Sequence, residues 1–206
     1  MATPQRPGDD VVCHAACMAW RHPRPQGVTG RCIGRTDVPL DRRKAKRLAH
    51  RIRQAARRAG WPRCIHTSPL RRCADVGRQL RRWGWRHVVD AGLLEVDFGR
   101  WDGLPWSRIP QGEVDAWVAD FSGHAPGGGE PLTAVLQRAV NWRGRADVPV
   151  WLVVGHGGWM LSRRWALTHD APPALAREWP AAPAYGEAWA LSVADAPTAS
   201  LARSSP

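Results

Sequence analysis

Apolar positions along this chain alternate between short continuous runs and helical stripes. Residues 15–20 form an apolar run that ends at Arg21-His22 and passes into a Pro/Gly-rich turn over 23–30. Asp41 is a good N-cap. After it Ala45, Leu48, Ala49, Ile52, Ala55, Ala56 and Ala59 share one helical face, Gly60 stops the helix, and the opposite face is arginine-rich. A short strand is predicted over 63–67, followed by Ser68 as an N-cap and Pro69 at the first helical position. The helix predicted over 70–82 carries Cys73, Val76 and Leu80 on its apolar side, and Gly84 closes it.

Residues 86–89 read as another strand, 92–103 as a loop, and 113–121 as a helix. Gly127-Gly128-Gly129 precedes a helix over 130–142 with Leu132, Val135, Leu136 and Val140 on one side. The unbroken apolar run 148–154 predicts a central strand buried on both faces, delivering Gly155-His156-Gly157-Gly158 to the next helix. Residues 187–193 alternate as a last strand, placed at an edge, and the Ala/Pro/Ser-rich tail after Asp195 reads as disordered. Strand and helix in alternation predict one domain over 1–195, a three-layer α/β/α sandwich with a mostly parallel sheet.

The 206 residues are enough for a sizeable core. No stretch is long and apolar enough to span a bilayer, and the polar start, 1–10, lacks the basic and apolar parts of a secretory signal. A cytoplasmic location is expected. Five scattered cysteines, Cys13, Cys17, Cys32, Cys64 and Cys73, suit reduced thiols rather than a disulfide framework. Cys13-His14 with Cys17 is half a metal site without a second half, so no metal and no cofactor are expected. The net charge of +12 suggests nucleic acid at first sight, but the basic residues are almost all arginine and lie along helices. That pattern is a compositional bias whose field favours anionic substrates; a nucleic-acid partner is not expected. The sequence admits a homodimer without specifying one.

Three strand-to-helix junctions present polar groups: Arg21-His22, the segment 68–72, and Gly155-His156-Gly157. In an open parallel sheet these lie on the edge where ligands bind. Arg72, in a helical first turn, and His156, flanked by glycines, belong where free backbone N–H groups and fixed charge attract an anion. Two arginines and two histidines there are complementary to a phosphoryl group, whose oxygens a guanidinium binds bidentately.

The same residues carry a resemblance. Arg21-His22; Thr67-Ser68-Pro69-Leu70-Arg71-Arg72; Leu93-Leu94-Glu95 running into Phe98-Gly99-Arg100-Trp101-Asp102-Gly103; and Gly155-His156-Gly157 follow one another as in the histidine phosphatase superfamily, which includes the phosphoglycerate mutases. Pro126 to Glu130 adds a Pro-Gly-Gly-Gly-Glu segment also common there. The resemblance implies a phosphoglycerate mutase-like fold and a phosphohistidine intermediate on His22. Glu95 would protonate the leaving alkoxide and then activate water, helped by a desolvated position that keeps it protonated. Arg21, Arg72 and His156, with Gly157 and Gly34, would bind the phosphoryl oxygens, and the arginines would keep His22 neutral. Asp97 and Asp102 would satisfy backbone donors, Arg71 would face the surface, and His14, His66 and His169 would have no catalytic part.

Pro23-Arg24-Pro25 departs from the Gly, acidic, Thr/Ser pattern of many members, and removes one backbone donor. That departure weighs against a mutase. The run Gly30-Arg31-Cys32-Ile33-Gly34-Arg35-Thr36-Asp37-Val38-Pro39-Leu40 is similar to the α-ribazole-phosphate phosphatase branch of cobalamin assembly, while broad sugar-phosphate and nucleotide phosphatases share similar turns. The expected partner is therefore a small phosphorylated metabolite. A basic nucleic-acid-binding protein on the same scaffold is the non-enzymatic alternative. Side chains between 104 and 130 are expected to shape the leaving-group pocket.

Overall fold

The computed structural model describes residues 16–144 and 148–191. The N-terminal Cys13-His14 pair and the tail after Asp195 lie outside them. Five strands, β1 (Ala16–Arg21), β2 (Cys64–Thr67), β3 (Arg86–Val89), β4 (Val150–Gly155) and β5 (Ala188–Ala190), form one sheet in the order β3-β2-β4-β1-β5. The first four are parallel, and β5 runs antiparallel along β1 as the edge strand the alternation predicts. Among the described residues, no helix is long and apolar enough to cross a membrane.

Alternation along the strands sends side chains to two cores. Trp20, Ile65, Leu152 and Val154 pack under α1 (Arg42–Ala59) and α2 (Arg71–Arg81) with Leu48, Ile52, Val76 and Leu80. Cys17, Ala19 and Val153 pack on the other face with Ala139 of α4 (Leu132–Asn141) and Trp159 and Met160 of α5 (Gly157–Thr168). The continuous apolar run of β4 is what a strand covered on both faces requires. This is the three-layer sandwich expected.

Helix ends depart from expectation in instructive ways. Asp41 caps α1 by accepting from Arg43 N–H at 2.7 Å, and Gly60 ends it in the left-handed region, as read from sequence. Ala59, assigned to the apolar face, is exposed: one methyl offers about 0.8 kcal/mol on burial and does not pull the last turn inward. Ser68 is not the cap of α2. It is fully buried and accepts from Leu70 N–H at 3.3 Å, and the helix begins at Arg71, whose N–H donates to Asp37 at 2.7 Å. The cap therefore comes from a distant loop. Similarly α4 begins after Pro131, because Glu130 is held out of the helix by its N–H bond to Asp97 carbonyl at 2.8 Å. The helix read over 113–121 is α3 (Gln111–Ala119).

Candidate active site

Parallel register sets the site. Arg21 of β1 lies opposite Gly155 of β4, and His22 N–H donates to Gly155 carbonyl at 3.0 Å. His22 and His156 thus leave the sheet side by side, their rings edge-to-face with centroids 5.1 Å apart. The strand ends open into a cavity of about 550 Å³ whose lining includes Arg21, His22, Arg72 and Glu95.

His22 is 5% exposed. Its Nδ1 lies 2.8 Å from the carbonyl of Pro23, an acceptor, so Nδ1 carries the proton and Nε2 keeps its lone pair. Pro23 withdraws a backbone N–H, as the sequence implied, but its carbonyl sets the tautomer. Burial first and then Arg72 push the His22 pKa down to about 3, with the Pro23 carbonyl opposing and Arg21 adding a smaller push. Desolvation, more than the neighbouring cations, keeps this imidazole neutral.

Arg21 donates through Nη1 to Pro183 carbonyl at 2.7 Å and stacks 4.0 Å over the Tyr185 ring. Its Nε is buried with no hydrogen-bond partner, a donor that an anion in the cavity would satisfy. Arg72, 1% exposed, is held from three sides: Nη1 on Thr36 carbonyl at 2.7 Å, Nη2 on Gly34 carbonyl, and Nε on His156 Nδ1 at 3.3 Å. Three of five N–H groups are engaged, and two remain for a ligand.

The loop that supplies those carbonyls is itself tied down. Asp102 accepts from the backbone N–H groups of Gly34 (3.1 Å), Arg35 and Thr36 (3.2 Å) and from the Thr36 hydroxyl (2.6 Å). Gly34 is therefore placed differently from expectation. Its N–H is held by Asp102 and its carbonyl by Arg72, so it supports the arginine rather than meeting a ligand. A Cβ there would strike Val96 carbonyl, which explains the glycine.

His156 also stands one layer behind its expected place. It is fully buried, accepts from Arg72 at Nδ1, and turns Nε2 toward Cys73 Sγ at 3.4 Å. Burial, then Arg72 and His22, hold its pKa well below the ordinary histidine value. Gly157, at the start of α5, lies against the Arg21 guanidinium; a Cβ there would be 3.3 Å from it.

Glu95, 9% exposed, lies across the first turn of α5. Oε1 accepts from Trp159 N–H and Val96 N–H, and Oε2 from Gly158 N–H, each at 3.1 Å. Helix-end donors thus surround the carboxyl group, where the sequence suggested simple desolvation. Oε2, with one donor, keeps a lone pair for a proton. Asp97 accepts from Gly99 N–H at 2.9 Å and pairs with Arg35 at 3.1 Å, the supporting part assigned to it.

Several contributors carry no sequence signal. Arg138 donates to Leu94 carbonyl (2.7 Å), Glu95 carbonyl (3.1 Å) and both oxygens of Glu130 (2.7 and 2.9 Å), fixing the backbone on which Glu95 stands. Tyr185 and Trp179 reach the cavity from the segment before β5. Trp106, Trp117, Phe121 and Pro126 line it from the stretch expected to shape the pocket. Arg71 and His169 are exposed and His66 is buried against Trp142, none of them in the cavity wall. Cys17, Cys32, Cys64 and Cys73 are buried free thiols.

A bifunctional protein of Mycobacterium tuberculosis is 34% identical over 107 residues, half of this chain. The aligned region spans 27% of that protein's length. The structure of mycobacterial glucosyl-3-phosphoglycerate phosphatase superposes with a TM-score of 0.65 at 26% identity, over 84% of this chain and 88% of that one. A putative α-ribazole-5'-phosphate phosphatase of Escherichia coli K-12 shares the fold, with a TM-score of 0.60 at 22% identity over 72% of this chain and 77% of the other. Residues 17–186, from inside β1 to the turn before β5, match the sequence model of the histidine phosphatase superfamily (branch 1), and the chain belongs to that superfamily.

Proposed function

We propose that this protein is a metal-independent phosphomonoesterase working through a phosphohistidine at His22 Nε2. The observation that carries the reading is the state of His22: buried, neutral, its Nδ1–H fixed on Pro23, beside two guanidinium groups with unused donors. A neutral imidazole with one free lone pair is a nucleophile, and fixed cations complement the charge of a transferring phosphoryl group.

In the first step His22 Nε2 forms a bond to phosphorus as the ester P–O bond breaks. Glu95 gives its proton to the departing alkoxide. Glu95 then takes a proton from water, whose oxygen attacks phosphorus, breaks the P–N bond and releases inorganic phosphate. Arg21 and Arg72 hold the phosphoryl oxygens through both steps. His156 acts on them through Arg72.

The substrate is a small organic phosphate. The run Gly30 to Leu40, which resembles the α-ribazole-phosphate branch, is engaged internally at Gly34, Arg35, Thr36 and Asp37, leaving Arg31 and Ile33 to line the cavity. α-Ribazole 5'-phosphate is therefore one candidate, and the walls of the pocket decide.

The test is chemical. A 32P-labelled monoester, quenched in alkali during turnover, should leave an acid-labile label on the protein that His22→Ala lacks, with turnover insensitive to EDTA. Unlabelled protein, or near-normal turnover by His22→Ala, would sink the assignment.

A further inference from the structure

We infer that the alcohol released by this site carries an apolar aromatic ring system and is not a bare polyhydroxylated sugar. The inference rests on the phosphomonoesterase reading and deepens it. Beyond the phosphate-facing end, five rings run along the cavity wall in contact. Trp106 meets Phe98 (6.4 Å), Phe98 meets Trp117 (6.3 Å), Trp117 meets Phe121 (5.4 Å), and Phe121 meets Trp179 (6.2 Å). Three of these contacts are edge-to-face and one is tilted, so the rings stand at different angles along the wall, the arrangement aromatic groups prefer when they pack together. Val28, Ile33, Leu132 and Leu161 complete the lining with aliphatic surface.

What the wall lacks is as informative. Among the described lining residues there is no Ser, Thr, Asn, Gln, Asp or Lys. Apart from Arg21, His22, Arg72 and Glu95, the polar side chains are Arg31, Glu130 and Tyr185, with the indole N–H groups as further donors. Glu130 is already held by Arg138 and, at 3.3 Å, by Arg35. Arg31 is exposed and donates to Gly103 carbonyl at 2.9 Å. A sugar needs acceptors as well as donors for its hydroxyls, and each hydroxyl buried without a partner weakens binding roughly tenfold or more. An aromatic platform alone could stack a sugar face, but beyond the phosphate-facing end few side chains here can receive the hydroxyl edge. Its volume of about 550 Å³ lies within the roughly 300–1,000 Å³ of sites that enclose a drug-sized ligand, well beyond a phosphoryl group.

The comparison uses two esters of primary alcohols, so that leaving-group basicity is matched: 2-(1-naphthyl)ethyl phosphate and glucose 6-phosphate. The expected kcat/KM favours the naphthyl ester at least thirtyfold. Trp117→Leu should shrink that ratio at least fivefold, and because it is a ratio, any loss of folded protein cancels. Equal or better turnover of glucose 6-phosphate overturns the inference while leaving the phosphatase reading intact, and an unchanged ratio in Trp117→Leu overturns the assignment to this wall. No turnover of either ester or of p-nitrophenyl phosphate overturns the phosphatase reading and the inference with it.

Discussion

Glu95 is bound to the backbone of Gly158, the second residue of α5, by a hydrogen bond of 3.1 Å, and Gly158 has no side chain to keep the two apart. A Cβ at position 158 would land on Glu95 Oε1 and within 2.9 Å of Val96 Cγ2. The carboxyl group is the far end of a flexible side chain and yields more easily than the helix. Gly158→Ala should therefore fold normally, since alanine in a helix is worth up to about 1 kcal/mol over glycine. Its kcat should fall about a hundredfold through displacement of the proton donor. Thermal melts and steady-state kinetics check both halves, and unimpaired kcat would remove Glu95 from the proposed acid–base step.

Asp102 is not part of the cavity wall yet governs Arg72. It holds the loop whose Gly34 and Thr36 carbonyls seat the guanidinium. Asp102→Ala leaves three backbone donors and one hydroxyl to water or to nothing, a loss of about 2–4 kcal/mol of stability. A merely structural residue would change stability alone. Here the inhibition constant of inorganic phosphate should also rise about tenfold, equivalent to about 1.4 kcal/mol. A normal phosphate constant in the folded variant would separate Asp102 from the anion site.

The tautomer of His22 is open to direct observation. With Nδ1–H on Pro23 and a pKa near 3, the ring should stay neutral and Nδ1-protonated from pH 8 to pH 4 in 15N-edited imidazole spectra, assigned by loss of the signal in His22→Ala. An ordinary titration near pH 6.5 would refute the neutral nucleophile.

What was legible in the sequence follows from the range of each interaction. The apolar run of β4, the Asp41 cap and the Gly60 stop are local patterns, and each reappears in place. Arg21-His22 at a strand end was equally legible, because the residue after a parallel strand must sit on the ligand edge. The parts of His22 and Glu95, by contrast, came from resemblance rather than pattern. Contacts that join distant segments were not legible at all. Asp37 capping α2, Asp102 holding the 34–36 loop and Arg138 beneath Glu95 have no periodicity to announce them. Gly34 was misplaced for the same reason. A conspicuous motif next to an expected site reads as ligand-facing until the partner of each N–H and carbonyl is known.

Three buried histidines and the half-buried His87 make stability depend on pH. His22, His66, His87 and His156 all have folded pKa values below the ordinary one, with burial the largest cause in each. His87 is held near 4, by burial first and then by Arg78 and Arg81. On unfolding these rings regain a pKa of about 6.5, so below that pH the unfolded chain binds more protons than the folded one. Stability must then rise with pH through this window and fall as pH drops from about 7 toward the folded values. His22, held near 3, and His87, held near 4, stay neutral in the fold at pH 5.5, and His156 is held well below the ordinary value by burial. His22 and His87 together should remove about 2–3 kcal/mol between pH 7.5 and 5.5, at about 1.4 kcal/mol per proton per pH unit. Urea unfolding at pH 7.5, 6.5 and 5.5 measures the slope, and His156→Gln should make it shallower. A flat profile would mean that these imidazoles accept protons inside the fold, and His22 would then lose the lone pair on which the proposed chemistry depends.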